Sequence, residues 1–404
     1  MTLTNFVYSA LAVLCAGLIA FTMTPPVRVL AFRIGAVDIP LDQRRMHKKP
    51  IPRIGGLAIF FGFTASTMIF CNPTKELFAI WLGGFVLVAL GIFDDVFRLP
   101  AMLKFVVQIG AAVIAVVNGV VIDHISIGGN YVMFGVWRIP ITILWIVGLT
   151  NAINLIDGLD GLACGVSAIS SASLFCVVLL NGDLHSAMIT AILTASCIGF
   201  MPFNKNPAKI FMGDTGALFL GFTLAVMSVQ GVFKLHTVIS FLVPLSIFAL
   251  PLLDTTVAII RRVAHGKSPF SPDRGHLHHK LVDMGFTQKN AVRILYAICA
   301  LLGLVAVVFT DTIFDSSRLV KAVLVLILAL IVFLFNYLII KSPNLRVHTG
   351  LFDDEPLPDT PKNLGDTLKE VKHKIHNAEK DSAEKEKSDG TESDVNGAEE
   401  KKEK

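Results

Sequence analysis

Long apolar runs alternate with short polar connections over the first 341 residues of the chain. A helix needs roughly 17 to 25 apolar residues to cross a bilayer, and about eleven runs are long enough. The pattern therefore predicts an all-α polytopic membrane protein with about 11 transmembrane helices. The predicted spans are residues 5–24, 54–72, 77–93, 101–121, 139–156, 162–181, 184–202, 214–233, 236–259, 291–310 and 319–341.

Composition agrees with a membrane protein and separates off a tail. Hydrophobic residues make up 53% of the chain and charged residues only 16%, whereas about a quarter of a soluble globular protein is charged. From residue 342 onward Lys, Glu, Asp and Ser dominate, and such a segment cannot bury enough apolar surface to fold. We expect a membrane domain over 1–341 and a disordered, charged cytoplasmic tail over 342–404. The net charge of +4 sums two unlike regions and says little about partners. No nucleic-acid partner is expected.

Basic residues give the predicted orientation. Lys and Arg concentrate in the connections 25–53 and 260–290, which fall on the same side of the predicted helix array. Because basic loops stay in the cytoplasm, the N-terminus is expected outside and the tail inside a multi-pass plasma-membrane protein. Every polar cluster of chemical interest then faces the cytoplasm. On the outer side, Gly128-Gly129-Asn130 within 122–138 predicts a small hairpin.

Four oxygen-bearing side chains recur at a spacing of three where the fifth apolar run ends. They are Asn151, Asn154, Asp157 and Asp160. Residues three apart lie near one another on a helix face, so these groups are expected to line one side of a helix end. The alternative is an ordinary helix terminus with an Asp-Gly turn, which does not require four such groups in phase.

A pair of adjacent carboxylates, Asp94-Asp95, ends the third predicted helix. Adjacent carboxylates repel one another, which raises one pKa or recruits a cation. Lys104 begins the next helix and is placed to reach back as a counter-charge or phosphate contact. The alternative is a solvated helix end, although the helix dipole disfavours Asp there.

Asp214 lies in a Gly-Asp-Thr-Gly turn just before the eighth apolar run. It looks like an N-cap, which stabilises a helix by about 1 kcal/mol. Asn204, Lys205 and Lys209 precede it, and a helix N-terminus with basic neighbours also suits phosphate or a metal carboxylate. Both readings stay open.

Three histidines occur within four residues of the largest predicted cytoplasmic loop, at His276, His278 and His279. A metal site would need further ligands nearby. With Arg274 and Lys280 beside them, these rings suit a pyrophosphate or a sugar hydroxyl better, and the alternative is a solvated basic loop. Asp254, in the ninth predicted helix, is either a functional intramembrane carboxylate or the cap of a broken half-helix.

Taken together, these clusters supply oxygen ligands for a hard cation and basic groups for phosphates at one membrane face. Such a set favours Mg²⁺-assisted phosphoryl chemistry between a cytosolic nucleotide compound and a lipid. An ion-coupled transporter is the alternative from another class, but it is expected to place polar groups near the bilayer midplane.

These motifs resemble those of the polyprenyl-phosphate N-acetylhexosamine-1-phosphate transferases, in the same order and on the same face. The resemblance extends over about residues 5 to 341. The motifs that carry it are Asp94-Asp95, Asn-Ala-Ile-Asn-Leu-Ile-Asp-Gly-Leu-Asp-Gly at 151–161, Phe-Met-Gly-Asp-Thr-Gly at 211–216, His-Leu-His-His at 276–279, and Arg-x-x-His-x-x-Pro-x-Pro-Arg-x-Gly-Gly at 44–56.

The resemblance implies that a polyprenyl phosphate attacks the β-phosphorus of a UDP-amino sugar and that UMP leaves. It implies Mg²⁺, with Mn²⁺ as a substitute, on Asp214 with Asn154 or Asp157 nearby. Asp94 would accept the proton of the lipid phosphate, and Asp95 would position the site. The predicted catalytic residues are Asp94, Asp95, Lys104 and Asp157. Those predicted to bind substrate are Asn151, Asp160, Asn204, Phe211, Arg274, His276, His278 and His279, with Asp160, Asn204 and Phe211 on the uridine.

The histidine loop carries the expectation about the donor. His-Leu-His-His followed by Lys-Leu resembles the branch that uses UDP-GlcNAc with undecaprenyl phosphate and primes teichoic acid, O-antigen or similar envelope polymers. The alternative within the family is UDP-MurNAc-pentapeptide, whose branch usually carries a triple-His-Phe-Glu type of loop. A homodimer also stays open, because the small pairs Gly55-Gly56 and Gly83-Gly84 suit helix pairing.

Overall fold

The computed structural model describes residues 3–39, 50–127, 130–233, 242–268 and 275–310. These residues form mainly helices, and the two small sheets among them are antiparallel pairs. The helices are α1 (Leu3–Ile34), α2 (Gly56–Phe70), α3 (Lys75–Phe97), α4 (Ala101–Val117), α5 (Arg138–Ile156), α6 (Leu162–Leu180), α7 (Leu184–Asn204), α8 (Gly213–Ser228), α9 (Leu242–Ile247), α10 (Ala249–Ala264), α11 (Leu277–Asp283) and α12 (Gln288–Phe309). The strands are β1 (Val37–Asp38), β2 (Ile51–Pro52), β3 (His124–Ile127) and β4 (Asn130–Met133).

The helical prediction is confirmed at ten of the eleven predicted segments, while residues 319–341 and the tail lie outside the described residues. Six of the described helices are long and apolar enough to cross a membrane, and α2 and α4 are shorter apolar helices. The predicted hairpin is also confirmed, because β3 pairs antiparallel with β4 and His124 faces Met133. The chain is therefore mainly helical in the manner of a multi-pass membrane protein.

Two predicted helix boundaries are wrong. The first helix does not end at residue 24 but continues through Pro25 and Pro26 to Ile34. Proline costs a helix interior about 3 kcal/mol, yet Val27 and Ala31 beyond it are buried in the core. Packing of this second half thus holds the helix together.

The predicted ninth span, 236–259, is two helices rather than one. α9 ends at Ile247 and α10 starts at Ala249. Pro251 explains the break, because in a continuous helix its ring would collide with the carbonyl group of the residue four positions earlier, Ile247. In α10 it lies in the first turn, where a missing N–H does no harm.

α8 lies at the centre of the described bundle, against α2, α3, α5 and α6. All of its residues except Asp214 are buried. Glycines allow α8 to approach the neighbouring helices closely: a Cβ on Gly91 of α3 would fall 2.3 Å from the Cα of Thr215. A Cβ on Gly56 of α2 would fall 2.0 Å from the Cα of Gly216. The ends of α2, α3 and α8 are therefore in direct backbone contact next to Asp94, Asp95 and Asp214.

The small pairs that suggested a homodimer pack inside the chain. Cβ atoms built on Gly55, Gly56, Gly83 and Gly84 would all meet residues of α7 or α8, or the turn that leads into α8, within 3.1 Å. These glycines thus serve contacts within one chain and lend no support to a homodimer.

Candidate active site

Asp94, Lys104 and Asp214 meet where α3, α4 and α8 come together. The Lys104 Nζ atom lies 2.9 Å from Asp94 Oδ2 and 2.9 Å from Asp214 Oδ2. Asp94 Oδ1 also accepts a hydrogen bond of 2.7 Å from the backbone N–H of Leu99. The structure therefore brings together three residues that were predicted from separate motifs, with Lys104 as the counter-charge between two carboxylates.

Asp95 caps the N-terminus of α8 from a neighbouring helix. Its carboxylate accepts the backbone N–H groups of Asp214 and Thr215, both at 3.2 Å, and the Thr215 hydroxyl at 2.8 Å. The reading of Asp214 as the N-cap is wrong, because α8 already begins at Gly213 and Asp214 lies in its first turn. The Asp214 side chain therefore does not cap the helix and instead pairs with Lys104.

The end of the first loop runs alongside the turn before α8. Phe211 N–H donates to Pro52 O at 2.8 Å, and Gly55 N–H donates to Phe211 O at 2.9 Å. This pairing places Arg53 Nε 3.6 Å from Asp95 Oδ1. Burial lowers the pKa of Arg53, but Asp95 and other nearby carboxylates outweigh it and raise the pKa above its ordinary value.

Arg53 was not among the predicted site residues, although it belongs to the motif at 44–56. Its signal was an arginine just before Gly-Gly, in a loop stiffened by prolines. The motif residues 44–49 lie outside the described residues, as does Arg274.

The four oxygen-bearing side chains of 151–160 do not share one helix face. α5 ends at Ile156, and Asp157 leaves the helical conformation with ψ of 53°. Asn151 faces α4, where its amide donates to Gln108 Oε1. Asp160 Oδ2 accepts from Asn206 Nδ2 at 2.9 Å and from the Ala208 N–H at 3.0 Å. The periodicity argument is wrong beyond residue 156 because the helix stops there.

Asp157 still belongs to the carboxylate cluster. Burial raises its pKa to about 8, and the negative charge of Asp214 adds to this shift while Arg53 opposes it. A cation bound beside this carboxyl would lower the pKa again, because an opposite charge favours the ionised form. Asn154 lies half-buried on the last turn of α5, one helical turn earlier.

Asn204 ends α7 with a side chain that is only 2% exposed. Its Nδ2 donates to Ile210 O at 3.0 Å. Its Oδ1 is buried without a hydrogen-bond partner among the described residues. A buried acceptor left unpaired is costly, and it indicates a place for a ligand donor. Phe211 lies in the connection between α7 and α8; it is half-buried, and its backbone N–H binds Pro52.

The histidine loop packs against the turn after α5. A Cβ on Gly158 would fall 2.1 Å from His278 Nε2, so the ring fills the space beside that glycine. His278 stacks on His276 with ring centroids 5.8 Å apart and lies 4.2 Å from the ring of His279. Burial, with His279 adding to it, lowers the pKa of His278 to about 3, so this ring is neutral at pH 7.

Both ring nitrogens of His278 are buried with no hydrogen-bond partner within the described ranges. His276, by contrast, has its Nδ1 3.0 Å from Asp254 Oδ2. Asp254 therefore does not stand alone in the membrane; it reaches the histidine loop.

The donor atoms near Asp214 fit a hard divalent cation. Mg²⁺ prefers oxygen ligands and usually takes one or two protein carboxylates together with substrate phosphates, and Asp214, Asp157 and Asn154 are of that type. In the part of the chain that the structure describes, no three His, Cys, Asp or Glu side chains form a metal-holding group by themselves. Substrate phosphate oxygens commonly complete the ligand set of such a cation.

Comparison with known proteins assigns the family. Residues 77–232 match Glycosyl transferase family 4. The chain is 39% identical over 312 residues to the probable undecaprenyl-phosphate N-acetylglucosaminyl 1-phosphate transferase of Bacillus subtilis, covering 76% of this chain and 87% of that relative. It is 36% identical over 347 residues to the decaprenyl-phosphate N-acetylglucosaminephosphotransferase of Mycobacterium tuberculosis (strain H37Rv), covering 78% and 85%.

A third relative, the undecaprenyl-phosphate alpha-N-acetylglucosaminyl 1-phosphate transferase of Salmonella typhi, is 34% identical over 332 residues, covering 78% of this chain and 86% of its own. The matched family region contains Asp94, Asp95, Lys104, Asp157 and Asp214. These matches cover most of each relative's length, and the family model matches the central region, so the chain belongs to glycosyl transferase family 4.

Proposed function

We propose that this protein transfers GlcNAc-1-phosphate from UDP-GlcNAc to undecaprenyl phosphate and releases UMP. One observation supports this above the others: the Asp94–Lys104–Asp214 cluster lies at one end of the bundle together with a histidine loop packed on the turn after Asp157. Carboxylates, an ammonium group and imidazoles at one place suit phosphoryl transfer. The names of the relatives from Bacillus subtilis and Salmonella typhi give the transferred group, N-acetylglucosaminyl 1-phosphate, and the acceptor, undecaprenyl phosphate.

In this reaction Asp94 accepts the proton of the lipid phosphate, and Lys104 holds Asp94 against Asp214. Once deprotonated, a lipid phosphate oxygen attacks the β-phosphorus, and the bond from that phosphorus to the oxygen shared with the α-phosphate breaks. UMP leaves, and the lipid carries a diphosphate-linked sugar. Asp95 keeps Asp214 and Thr215 in place through its bonds to the first turn of α8.

Asp214, with Asp157 and Asn154, would hold Mg²⁺ or in its place Mn²⁺, and a bound divalent cation neutralises charge on the donor diphosphate. His276, His278 and His279 contact that diphosphate or the sugar. The uridine lies against Asp160, Asn204 and Phe211, where the unpaired Asn204 Oδ1 offers an acceptor to a base N–H. Asn151 and Arg274 complete the predicted substrate contacts.

An apolar cavity of about 250 Å³ supports a lipid acceptor. It is lined by residues of the outer hairpin, by α5 residues such as Leu144 and Trp145, and by Leu252 of α10. α5 continues from this cavity to Asn154 at the site, so a chain held along α5 has its phosphate end directed to the carboxylates.

The finer membrane arrangement is part of the same proposal. We propose about 11 crossings of the plasma membrane, an outer N-terminus, the site on the cytoplasmic face, and a tail after residue 341 without a catalytic role. The basic connections 25–53 and 260–290 support this orientation. The envelope polymer built from the product, such as teichoic acid or O-antigen, is likewise a proposal.

The test is UMP release by the purified full chain in detergent, with undecaprenyl phosphate, Mg²⁺ and either UDP-GlcNAc or UDP-MurNAc-pentapeptide. Release with UDP-GlcNAc alone is expected, and it should stop with EDTA or in Asp214→Asn while the variant still inserts. Release only with UDP-MurNAc-pentapeptide would support the type of reaction but show that UDP-GlcNAc is not the donor. Release with neither would overturn the proposed function.

A further inference from the structure

We infer that Asp254 of α10 is a positioning residue for the histidine loop: its carboxylate fixes His276 and the start of α11, and so sets where His278 meets the turn at Gly158. This inference rests on the proposed function, because it assumes that the histidines contact the donor. Asp254 is not among the residues to which the motif resemblance assigns a role.

The carboxylate makes two bonds to adjacent residues of the loop. Asp254 Oδ2 lies 3.0 Å from His276 Nδ1, and Oδ1 accepts the Leu277 backbone N–H at 2.8 Å. The side chains of His276 and Asp254 are only 6% and 9% exposed. A buried carboxylate is tolerated when its lone pairs are paired, and the loss of one partner then costs more than the pair itself contributed. These contacts therefore join the loop to α10 at two adjacent residues.

The position that Asp254 gives to α11 also determines where His278 lies in the active site. Leu277 is the first residue of α11, and a carboxylate that accepts its N–H acts on this helix as a cap. His278 is the next residue, and its ring packs on Gly158. Gly158 lies between Asp157 and Asp160, so a small movement of α11 changes the distance from the imidazoles to the carboxylate cluster.

Asp254 also fixes the orientation and tautomer of His276. A carboxylate at Nδ1 requires the proton on that nitrogen, which turns Nε2 away from α10. Nε2 then accepts from a sugar hydroxyl when the ring is neutral, and donates to a phosphate oxygen when the ring is charged. In the proposed function this hydroxyl or phosphate belongs to the nucleotide sugar.

Of the two roles that the sequence left open for Asp254, the contacts support the capping role. Asp254 caps a helix, but the helix belongs to the loop and not to the broken segment around Phe248. A proton or ion pathway through the membrane would need this carboxylate to exchange partners, whereas both of its oxygens bind the loop.

The experiment compares Asp254→Ala, His276→Ala and the double variant with the wild type, as full chains in detergent. The values measured are kcat, the KM for UDP-GlcNAc, the KM for undecaprenyl phosphate, and the affinity for UDP by calorimetry. Asp183→Ala is the matched control, because Asp183 accepts the Ser186 N–H at the start of α7, at the opposite end of that helix from Asn204.

Asp254→Ala should raise the KM for UDP-GlcNAc and weaken UDP binding by about tenfold or more, as expected for a lost hydrogen bond to a charged group. The KM for the lipid should stay within about twofold. Added to His276→Ala, the same change should cost clearly less than it costs in the wild type, because the part of its effect that passes through His276 is already lost. Asp183→Ala should leave both KM values unchanged.

Independent, additive losses in the double variant would overturn the inference, as would an equal rise in both KM values. If Asp254→Ala does not fold, Asp254→Asn keeps the shape and one of the two acceptors, and an unaltered UDP affinity in that variant would overturn it too. Wild-type activity with no effect of Asp254→Ala defeats this inference alone. A wild type that neither turns over UDP-GlcNAc nor binds UDP defeats the proposed function and the inference together.

Discussion

At the residue scale, the chemistry depends on one ammonium group between two carboxylates. Lys104 lies 2.9 Å from an oxygen of Asp94 and from an oxygen of Asp214. Without it, two negative charges would face each other in a partly buried place, which favours protonation of one of them. Lys104 therefore offsets the repulsion between the two carboxylates and allows them to lie close together.

Replacement of Lys104 by methionine should cut kcat by about 10²-fold or more, a size typical of the loss of one group that handles charge or protons. The measurement is UMP release with UDP-GlcNAc at saturating lipid. Lys75→Met is the control, because Lys75 begins α3 at the end away from Asp94. Near-normal turnover in Lys104→Met would show that the carboxylates do not need this charge.

Asp94→Asn tests whether this carboxylate accepts the proton of the lipid phosphate. We expect kcat to fall by about 10²-fold at neutral pH. A phosphate monoester loses its second proton with a pKa of about 6, so the pH profile distinguishes two cases. A loss that persists at pH 8 to 9 agrees with proton transfer or positioning by Asp94. A loss that disappears there would mean that the phosphate ionises unaided and that Asp94 is not its base.

Individual residues were easier to select from the sequence than their contacts. Asp94, Lys104 and Asp214 were chosen from separate motifs, and the structure brings them together. Asp95 as the cap of α8 was not predictable, because a cap supplied by another helix leaves no local pattern. Arg53 did have a local signal in the motif at 44–56, but its contact with Asp95, which is distant in sequence, was not predictable.

At the element scale, the site depends on the contact between the histidine loop and the turn after α5. Gly158 provides the space for His278, and its φ is not in the left-handed region, so its role is the close approach itself. An alanine there would place a methyl group within 3.0 Å of three atoms of the ring. Overpacking of this kind costs about 1–3 kcal/mol.

Gly158→Ala should therefore push His278 away and lower kcat/KM for UDP-GlcNAc about tenfold, with the lipid KM little changed. Gly110→Ala is the matched control, since a Cβ on that glycine of α4 meets nothing within 4 Å. Combining Gly158→Ala with His278→Ala removes the collision, and the double variant should lose no more than His278→Ala alone. Unaltered kinetics in Gly158→Ala would mean that His278 does not act from this position.

Periodicity predicted helices well but failed where they end. Apolar runs located the described helices, yet α1 passes Pro25-Pro26 because its second half is packed. The ninth run breaks at Phe248, three residues before Pro251, and that proline was a visible signal because it is disfavoured in a helix interior. At Asp157 the chain leaves the helix although the spacing of three continues, so spacing alone does not show which residues share a face.

At the scale of the whole molecule, one arrangement explains why separate motifs form a single site. α8 is buried among its neighbours, and its N-terminus meets the C-terminal ends of α3 and α5. The apolar pattern of α8 alone does not predict that this helix is central. The sequence signal was the three glycines Gly56, Gly91 and Gly216, since close backbone contact needs residues without side chains.

The distribution of charge then predicts the orientation of this site in the membrane. Loops rich in Lys and Arg stay in the cytoplasm, and Arg53 and His278, from the basic stretches 25–53 and 260–290, lie at the same end of the bundle as Asp95 and Gly158. With about 11 crossings and an outer N-terminus, the chain end at Lys404 is expected inside and Gly182, after the sixth predicted helix, outside.

Fusions of alkaline phosphatase, which is active only outside the cytoplasm, and of a fluorescent protein that folds inside test both the orientation and the number of crossings. A fusion after Lys404 should fluoresce and lack phosphatase activity, and a fusion after Gly182 should do the opposite. Phosphatase activity at both positions would mean an even number of crossings and would remove a helix from the prediction, with 319–341 the first candidate because it lies outside the described residues. Reversed results at both positions would place the carboxylates on the outer face, where no cytosolic nucleotide sugar reaches them, and the proposed reaction would fail with the topology.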